Sequence, residues 1–131
     1  MTEVPIEAIV RIQQMQARYG HLVDARDWDG FRALFTDDAV FDVSVYGLGR
    51  LTGIDAIMTF FEAAPHPAAH QATNIEIWQE GDTVRSRSKY VVGTLDGAPS
   101  GGDYNDVLVE SDRGWRFRER VVTRRWSGVE R

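Results

Sequence analysis

Partway along this chain the spacing of its apolar residues changes from that of a helix to that of a strand. Between Pro5 and Ala25, the residues Ile6, Ile9, Val10, Ile12, Met15, Tyr19, Leu22 and Val23 return every three or four positions. From Thr83 to Val92, Val84, Ser86, Ser88, Tyr90 and Val92 take every second position, and Arg85, Arg87 and Lys89 fill the gaps. A period of 3.6 places one apolar stripe on a helix and a period of two places one apolar face on a strand, so neither segment can be exchanged for the other. Helices first and strands afterwards predict an α+β domain, a curved antiparallel sheet with helices packed on one face, and not an alternating βαβ fold.

The remaining segments fit this frame. Asp27 is placed to cap a second, shorter helix carrying Trp28, Phe31, Leu34 and Phe35, which the turn Thr36-Asp37-Asp38 ends. Ala39 to Val45 alternate as a half-buried strand, and the glycines of Tyr46-Gly47-Leu48-Gly49-Arg50 predict a turn or short hairpin. Thr52-Gly53-Ile54-Asp55 resembles a capping box ahead of a third helix with Ile54, Ile57, Met58 and Phe61 inward, stopped by Pro65-His66-Pro67. Strands follow over His70–Gln79 and Thr83–Val92. Gly93 to Gly102 reads as a mobile loop, and Asp103–Glu110 with Trp115–Trp126 as a closing hairpin.

Composition excludes several classes. With 131 residues, 43% of them hydrophobic, the chain suits one domain over residues 1–131 with one core. Its 15 Lys and Arg against 20 Asp and Glu give a net charge of −5, which argues against nucleic acid or an anionic membrane as partner. The absence of cysteine removes thiolate chemistry and Cys-based metal centres, and three histidines make a poor metal inventory, so neither metal nor cofactor is expected. No apolar run approaches the ~18–20 residues needed to span a bilayer and no leader pattern opens the chain, which leads to the expectation of a soluble, cytoplasmic protein.

Two segments, Arg18 to Phe31 and Leu34 to Phe41, in the element order just derived, resemble the NTF2-like superfamily and, within it, the SnoaL-like branch. The ending from Gly102 through Arg120 is similar to the same branch. The resemblance implies a cone-shaped fold around a pocket, and a homo-oligomer, trimer or dimer. Scytalone dehydratase, the bile-acid 7α-dehydratase and hexachlorocyclohexane dehydrochlorinase belong to this branch and pair an Asp on the first helix with a His at the start of a strand. Asp24 and His70 match those positions, with His70-Gln71-Ala72-Thr73-Asn74 repeating the dehydrochlorinase's His-x-x-Thr-Asn. Tyr19 and Arg120 match a tyrosine and an arginine of the same sites. The carboxylate base of ketosteroid isomerases has no counterpart, because the matching position is Val43 and Asp42 points to the opposite face.

These positions suit proton abstraction. A neutral imidazole at His70 accepts a proton from carbon if its other nitrogen is held in one tautomer, and Asp24 could do the holding. The residues alone favour a backbone-bonded strand histidine and a solvated helix-end aspartate, and the resemblance reverses that preference. Tyr19 is either a hydrogen-bond donor or a core aromatic. The helix face through Ala17, Gly20 and Asp24 is small, so it borders a cavity or receives another backbone. Arg120 shares strand parity with Arg116, Arg118 and Arg124 and would join a solvated face, and only the resemblance singles it out as polarising a leaving group. Asp106 is expected as a structural partner for an arginine, and His21 and His66 as incidental. The resulting expectation is a cofactor-independent, dehydratase-like lyase acting on a hydrophobic small molecule through Asp24, His70, Tyr19 and Arg120. An isomerase or cyclase with the same base, or a non-catalytic binding module, are the alternatives.

Overall fold

The first helix, α1 (Ile6–Ala25), starts behind Pro5 and ends where Arg26 takes a left-handed φ of 58°. Its stripe of Ile12, Met15, Tyr19 and Val23 is buried, as the periodicity requires. Residues 3–93 and 98–127 are described by the structure, a computed structural model. Two shorter helices follow. In α2 (Trp28–Arg32), the Asp27 side chain accepts a hydrogen bond from the Gly30 amide at 3.0 Å, the expected cap. The third, α3 (Ile54–Ala63), is preceded by Gly53 at φ 89° and has no side-chain cap, so the capping box expected at Thr52 does not form. Asp55 instead pairs with Arg32 at 2.7 Å.

Seven strands form one curved sheet: β1 (Phe35–Asp42), β2 (Arg50–Thr52), β3 (Ala69–Glu80), β4 (Thr83–Gly93), β5 (Pro99–Ser111), β6 (Gly114–Val122) and β7 (Trp126–Ser127). Their order is β2-β1-β6-β5-β4-β3, with β7 beside β5. Every pair is antiparallel except β1 with β6, which run parallel. Helix α1 packs over β3, and α3 over β1. The core between the layers is largely aromatic: Phe31, Phe35 and Phe117 are at most 1% exposed, and Phe31 meets Phe61 at 4.5 Å between centroids. Burial of each such ring stabilises the fold by about 1.5–3 kcal/mol.

Several boundaries differ from expectation for definable reasons. Helix α2 stops at Arg32 and Phe35 opens β1, so the expected turn at Thr36-Asp37-Asp38 lies inside a strand. The turn chemistry is nevertheless expressed there, because pairing with β6 breaks between Phe35 and Val40. Val43 to Val45 leave the strand for a short 3-10 turn, Ser44–Tyr46. Strand β5 begins at Pro99 and not at Asp103, so Ser100, Gly101 and Gly102, expected in a loop, are paired. Residues 94–97 of that expected mobile loop lie outside the described residues. A Cβ at Gly102 would stand 2.0 Å from the Thr123 carbonyl oxygen, so only glycine admits this close crossing.

Two bulges decide which side chains face inward. In β3 the register slips between Thr73 and Glu76, where Asn74 adopts φ 54°. In β6, Phe117 pairs with Leu108 and Glu119 with Val107, which leaves Arg118 as the extra residue. Inward parity therefore changes at Arg118. Phe117 faces the core on one side of it, and Arg120 and Val122 on the other.

Candidate active site

Helix α1 reaches β3 through its small residue. A Cβ at Gly20 would lie 3.0 Å from the His70 carbonyl oxygen, so the helix and the first residues of β3 are in backbone contact. One turn later on the same helix face, Asp24 meets His70 twice. Its Oδ2 accepts from the His70 backbone amide at 3.0 Å, and its Oδ1 lies 2.6 Å from Nδ1 of the ring. A carboxylate oxygen accepts, so Nδ1 carries the proton and Nε2 keeps its lone pair. Among the described residues Nε2 has no hydrogen-bond partner.

His70 belongs to the wall of a cavity of about 390 Å³ between the inner sheet face, α3 and the segment that follows α3. Registration builds this wall: His70, Val92 and Ser100 stand opposite one another across β3, β4 and β5. Phe41, Val43, Phe60, Phe61, Pro65 and Val122 supply apolar surface, and Tyr19, Tyr90, Tyr104 and His66 supply polar atoms. None of the described lining residues is Asp, Glu, Lys or Arg. Val43 faces the cavity as expected, and Asp42 is turned away toward Arg50 at 3.5 Å. Burial holds the His70 pKa below its ordinary 6.5, against the opposing pull of Asp24, so the ring is neutral at pH 7.

Tyr19 is 3% exposed and lines the cavity, its ring edge-on to His70 at 6.4 Å between centroids. Burial raises its pKa, partly offset by the nearby Arg120 charge, so the phenol stays protonated and can donate. Arg120, the fourth expected residue, does not line the cavity. Its side chain is fully buried, with Nε and Nη2 donating to Asp106 at 2.8 and 2.9 Å, and Nη2 also donating to Gln16 Oε1. Ser86 and the Gln16 amide complete the hydrogen bonding of Asp106. The guanidinium carbon sits 4.3 Å from the Tyr19 ring centre and 3.9 Å from that of Tyr104. Arg120 therefore stands behind two cavity tyrosines, out of direct reach of a leaving group. The expected solvated face is realised only by the exposed Arg118 and Arg124.

Three wall residues were not singled out by the sequence. Tyr104 lines the cavity and stacks on Tyr90 at 4.6 Å. Tyr90 donates to the Thr123 carbonyl at 2.7 Å, so the 2.6 Å contact between Tyr46 and Tyr90 hydroxyls has Tyr46 as donor. His66, expected to be incidental, is 8% exposed and faces the same cavity. A Pro-His-Pro stop signal gives no hint of this, because it marks a helix end without saying what that end overlooks.

A cone of helices and a bent sheet around an aromatic cavity defines the NTF2-like class. The SnoaL-like domain family matches residues 4–121, and the chain belongs to it. Similar solved structures come from Novosphingobium aromaticivorans. One, named a proposed aromatic ring hydroxylase, is 32% identical over 91% of this chain and 90% of its own, with a TM-score of 0.78. An NTF2-like protein with a cystatin-like fold is 26% identical over 88% and 80%, with a TM-score of 0.72. A proposed scytalone dehydratase, 22% identical over 91% and 85% with a TM-score of 0.74, shares the fold. No curated protein matches the chain. No helix among the described residues is long and apolar enough to cross a membrane, and no group of three or more metal-ligating side chains occurs among them.

Proposed function

We propose that this protein is a cofactor-independent lyase of the dehydratase type, acting on an uncharged hydrophobic small molecule. The observation that carries the reading is the 2.6 Å contact between His70 Nδ1 and Asp24, with Nε2 left without a partner on a residue that lines the cavity, whose described lining residues include no charged side chain. His70 Nε2 removes a proton from a carbon beside an activating group. The electron pair of that C–H bond becomes the new double bond, and a hydroxyl departs from the neighbouring carbon with its own bonding pair and leaves as water on taking up the proton held by His70, or another group departs as its anion. Asp24 fixes the tautomer and stabilises the imidazolium that forms.

Tyr19 donates to the oxygen on which negative charge develops. Arg120 acts through Tyr19 and Tyr104 as a positioning residue, since Nε and Nη2 are committed to Asp106 and Gln16 and Nη1 is sealed away without a partner. The aromatic ring in the name of the 32% identical relative agrees with the phenyl and phenol surface of this wall. An isomerase or cyclase would use the same base and differ only in where the electron pair goes.

The test is a panel of steroid, polyketide and terpenoid carbonyl compounds offered to wild type, His70→Ala and Asp24→Asn in deuterated water. The reading requires elimination, or at least exchange of a carbon-bound hydrogen, that both substitutions abolish. Equal turnover by all three proteins sinks it.

A further inference from the structure

His66 sits on the cavity wall in a setting as constrained as that of His70, and nothing in the proton abstraction uses it. Prolines at 65 and 67 hold its backbone, and its ring lies flat on Phe61, 4.9 Å between centroids and 10° between planes. The 2.7 Å contact from Nε2 to the Phe61 carbonyl fixes the tautomer, since a carbonyl can only accept. Nδ1 is then a lone-pair acceptor. It has no partner among the described residues and is not among the polar atoms sealed away without one, so it is solvent-accessible on a residue that lines the cavity.

A rigid, neutral acceptor in a wall with no charged side chain among its described residues is complementary to a neutral donor. Tyr90 and Tyr46 already donate to the Thr123 carbonyl and to Tyr90, so donation to a ligand's oxygen falls to Tyr19 and Tyr104. The two imidazoles, His66 at Nδ1 and His70 at Nε2, can only accept while neutral. Burial is the main influence holding the His66 pKa below its ordinary 6.5, and the charge of Arg26 and the proximity of His70 act in the same direction. A buried acceptor left unmatched costs binding free energy, which converts one open lone pair into discrimination.

We propose that His66 is a ligand-recognition residue whose Nδ1 accepts a hydrogen bond from a hydroxyl of an uncharged, largely apolar ligand. The inference rests on the reading above that the cavity receives a small molecule, and it narrows that molecule to one with a free hydroxyl. The site then prefers the hydroxylated compound over its O-methyl analogue of nearly the same shape.

Calorimetric titration with 2-naphthol and 2-methoxynaphthalene tests this. Wild type is expected to bind the naphthol about tenfold more tightly, which is the yield of one matched hydrogen bond. His66→Phe keeps a ring against Phe61 and is expected to bind both probes alike. His70→Ala and Asp24→Asn are expected to keep the preference while losing turnover, which separates this inference from the proton-abstraction reading.

If His66→Phe does not fold, imidazole nitrogen NMR of wild type decides. The His66 Nδ1 resonance should move toward a hydrogen-bonded shift with 2-naphthol and stay in place with the methyl ether. No preference in wild type, a preference that persists in His66→Phe, or one that vanishes in His70→Ala overturns the proposal.

Discussion

Two carboxylates meet nitrogen bases on the inner side of this sheet, and they are built in opposite ways. Asp106 and Arg120 are sealed at 0% side-chain exposure, and Gln16 and Ser86 take up most of the remaining hydrogen-bonding capacity of Asp106. Asp24 and His70 keep 28% and 9% exposure, and one ring nitrogen has no partner among the described residues. A pair sealed from solvent, its carboxylate matched on both oxygens and only Nη1 of the guanidinium lacking a partner, can only hold its neighbours in place. A pair with one open lone pair, next to a cavity, is poised to take a proton. The contrast separates a structural clamp from a reactive centre more clearly than the residue types do, since each pair joins an aspartate to a basic side chain.

The largest effect expected from this contrast is on rate. His70→Ala should lower kcat/KM by about 10²–10⁴-fold, the usual contribution of a general base. Asp24→Asn should fall in the same range, because an amide offers Nδ1 no charge to stabilise the imidazolium. Neither change should lower the urea midpoint as far as a change at Asp106. If His70→Ala retained wild-type turnover of a substrate that the protein demonstrably converts, the two pairs would not differ in kind.

Breaking the sealed pair should give the converse result. Asp106→Ala leaves the guanidinium of Arg120 buried without its counter-charge, a change that costs about 3–5 kcal/mol. Equilibrium urea unfolding measures it. The double change Asp106→Leu with Arg120→Met should recover much of that loss, because two apolar groups have no unmet charge. A loss confined to the single substitution identifies a clamp. A double variant that stays fully stable yet loses activity would show that Arg120 contributes to the chemistry through Tyr19 and Tyr104.

The two pairs were also unequally legible in the sequence. Periodicity is a local property, and it delivered α1, α3 and the alternation of β4 with nearly the observed bounds. The contact between Asp24 and His70 spans 46 positions, and no local pattern encodes it. Gly20 was the nearest hint, as a small position where a backbone could approach. Arg120 was harder still. Strict alternation from Arg116 sends it outward with Arg118, and the bulge at Arg118 that turns it inward has no composition signature in Glu-Arg-Val-Val. Resemblance to relatives supplied both positions, but it placed Arg120 in the site without showing that its Nε and Nη2 are already used and its Nη1 sealed away. His66 was passed over because Pro-His-Pro describes a helix stop, and the cavity at that stop is made by strands far away in sequence.

A change in pH should move the two pairs by different amounts. Burial holds His70 below 6.5, with Asp24 pulling upward and the charges of Arg26 and Arg120 pushing further down. The acid limb of kcat/KM should therefore fall below pH 6.5, as the base is lost by protonation. Asp24→Asn removes the upward pull, so residual activity should show its limb at still lower pH. Stability follows the same sign. The folded state binds its proton more weakly than the unfolded one, so the contribution is complete above the unfolded pKa and is lost as pH falls through the folded value. His66, held down mainly by burial, adds to it in the same direction. An acid limb above 6.5 would contradict a buried neutral base.

The smallest expected effect tests how the open pair is positioned. Gly20→Ala places a methyl 3.0 Å from the His70 carbonyl oxygen, tighter than ordinary contact and against backbone that cannot swing away. Alanine in place of a helical glycine gains about 1 kcal/mol of propensity, and the crowding costs a similar amount or somewhat more. The net change in urea midpoint should thus be slight. The displacement, however, acts on a backbone contact between α1 and β3 beside the dyad, and a shift of a few tenths of an ångström lengthens the carboxylate–imidazole bond. Activity should fall by roughly severalfold with stability almost unchanged. Asp106 and Arg120 pair across adjacent strands, β5 and β6, and meet α1 only through side chains, Gln16 and Tyr19 among them, so they should respond less than the dyad. A Gly20→Ala protein that loses stability and activity in proportion would mean that the helix contact holds the fold as a whole and not the reactive pair in particular.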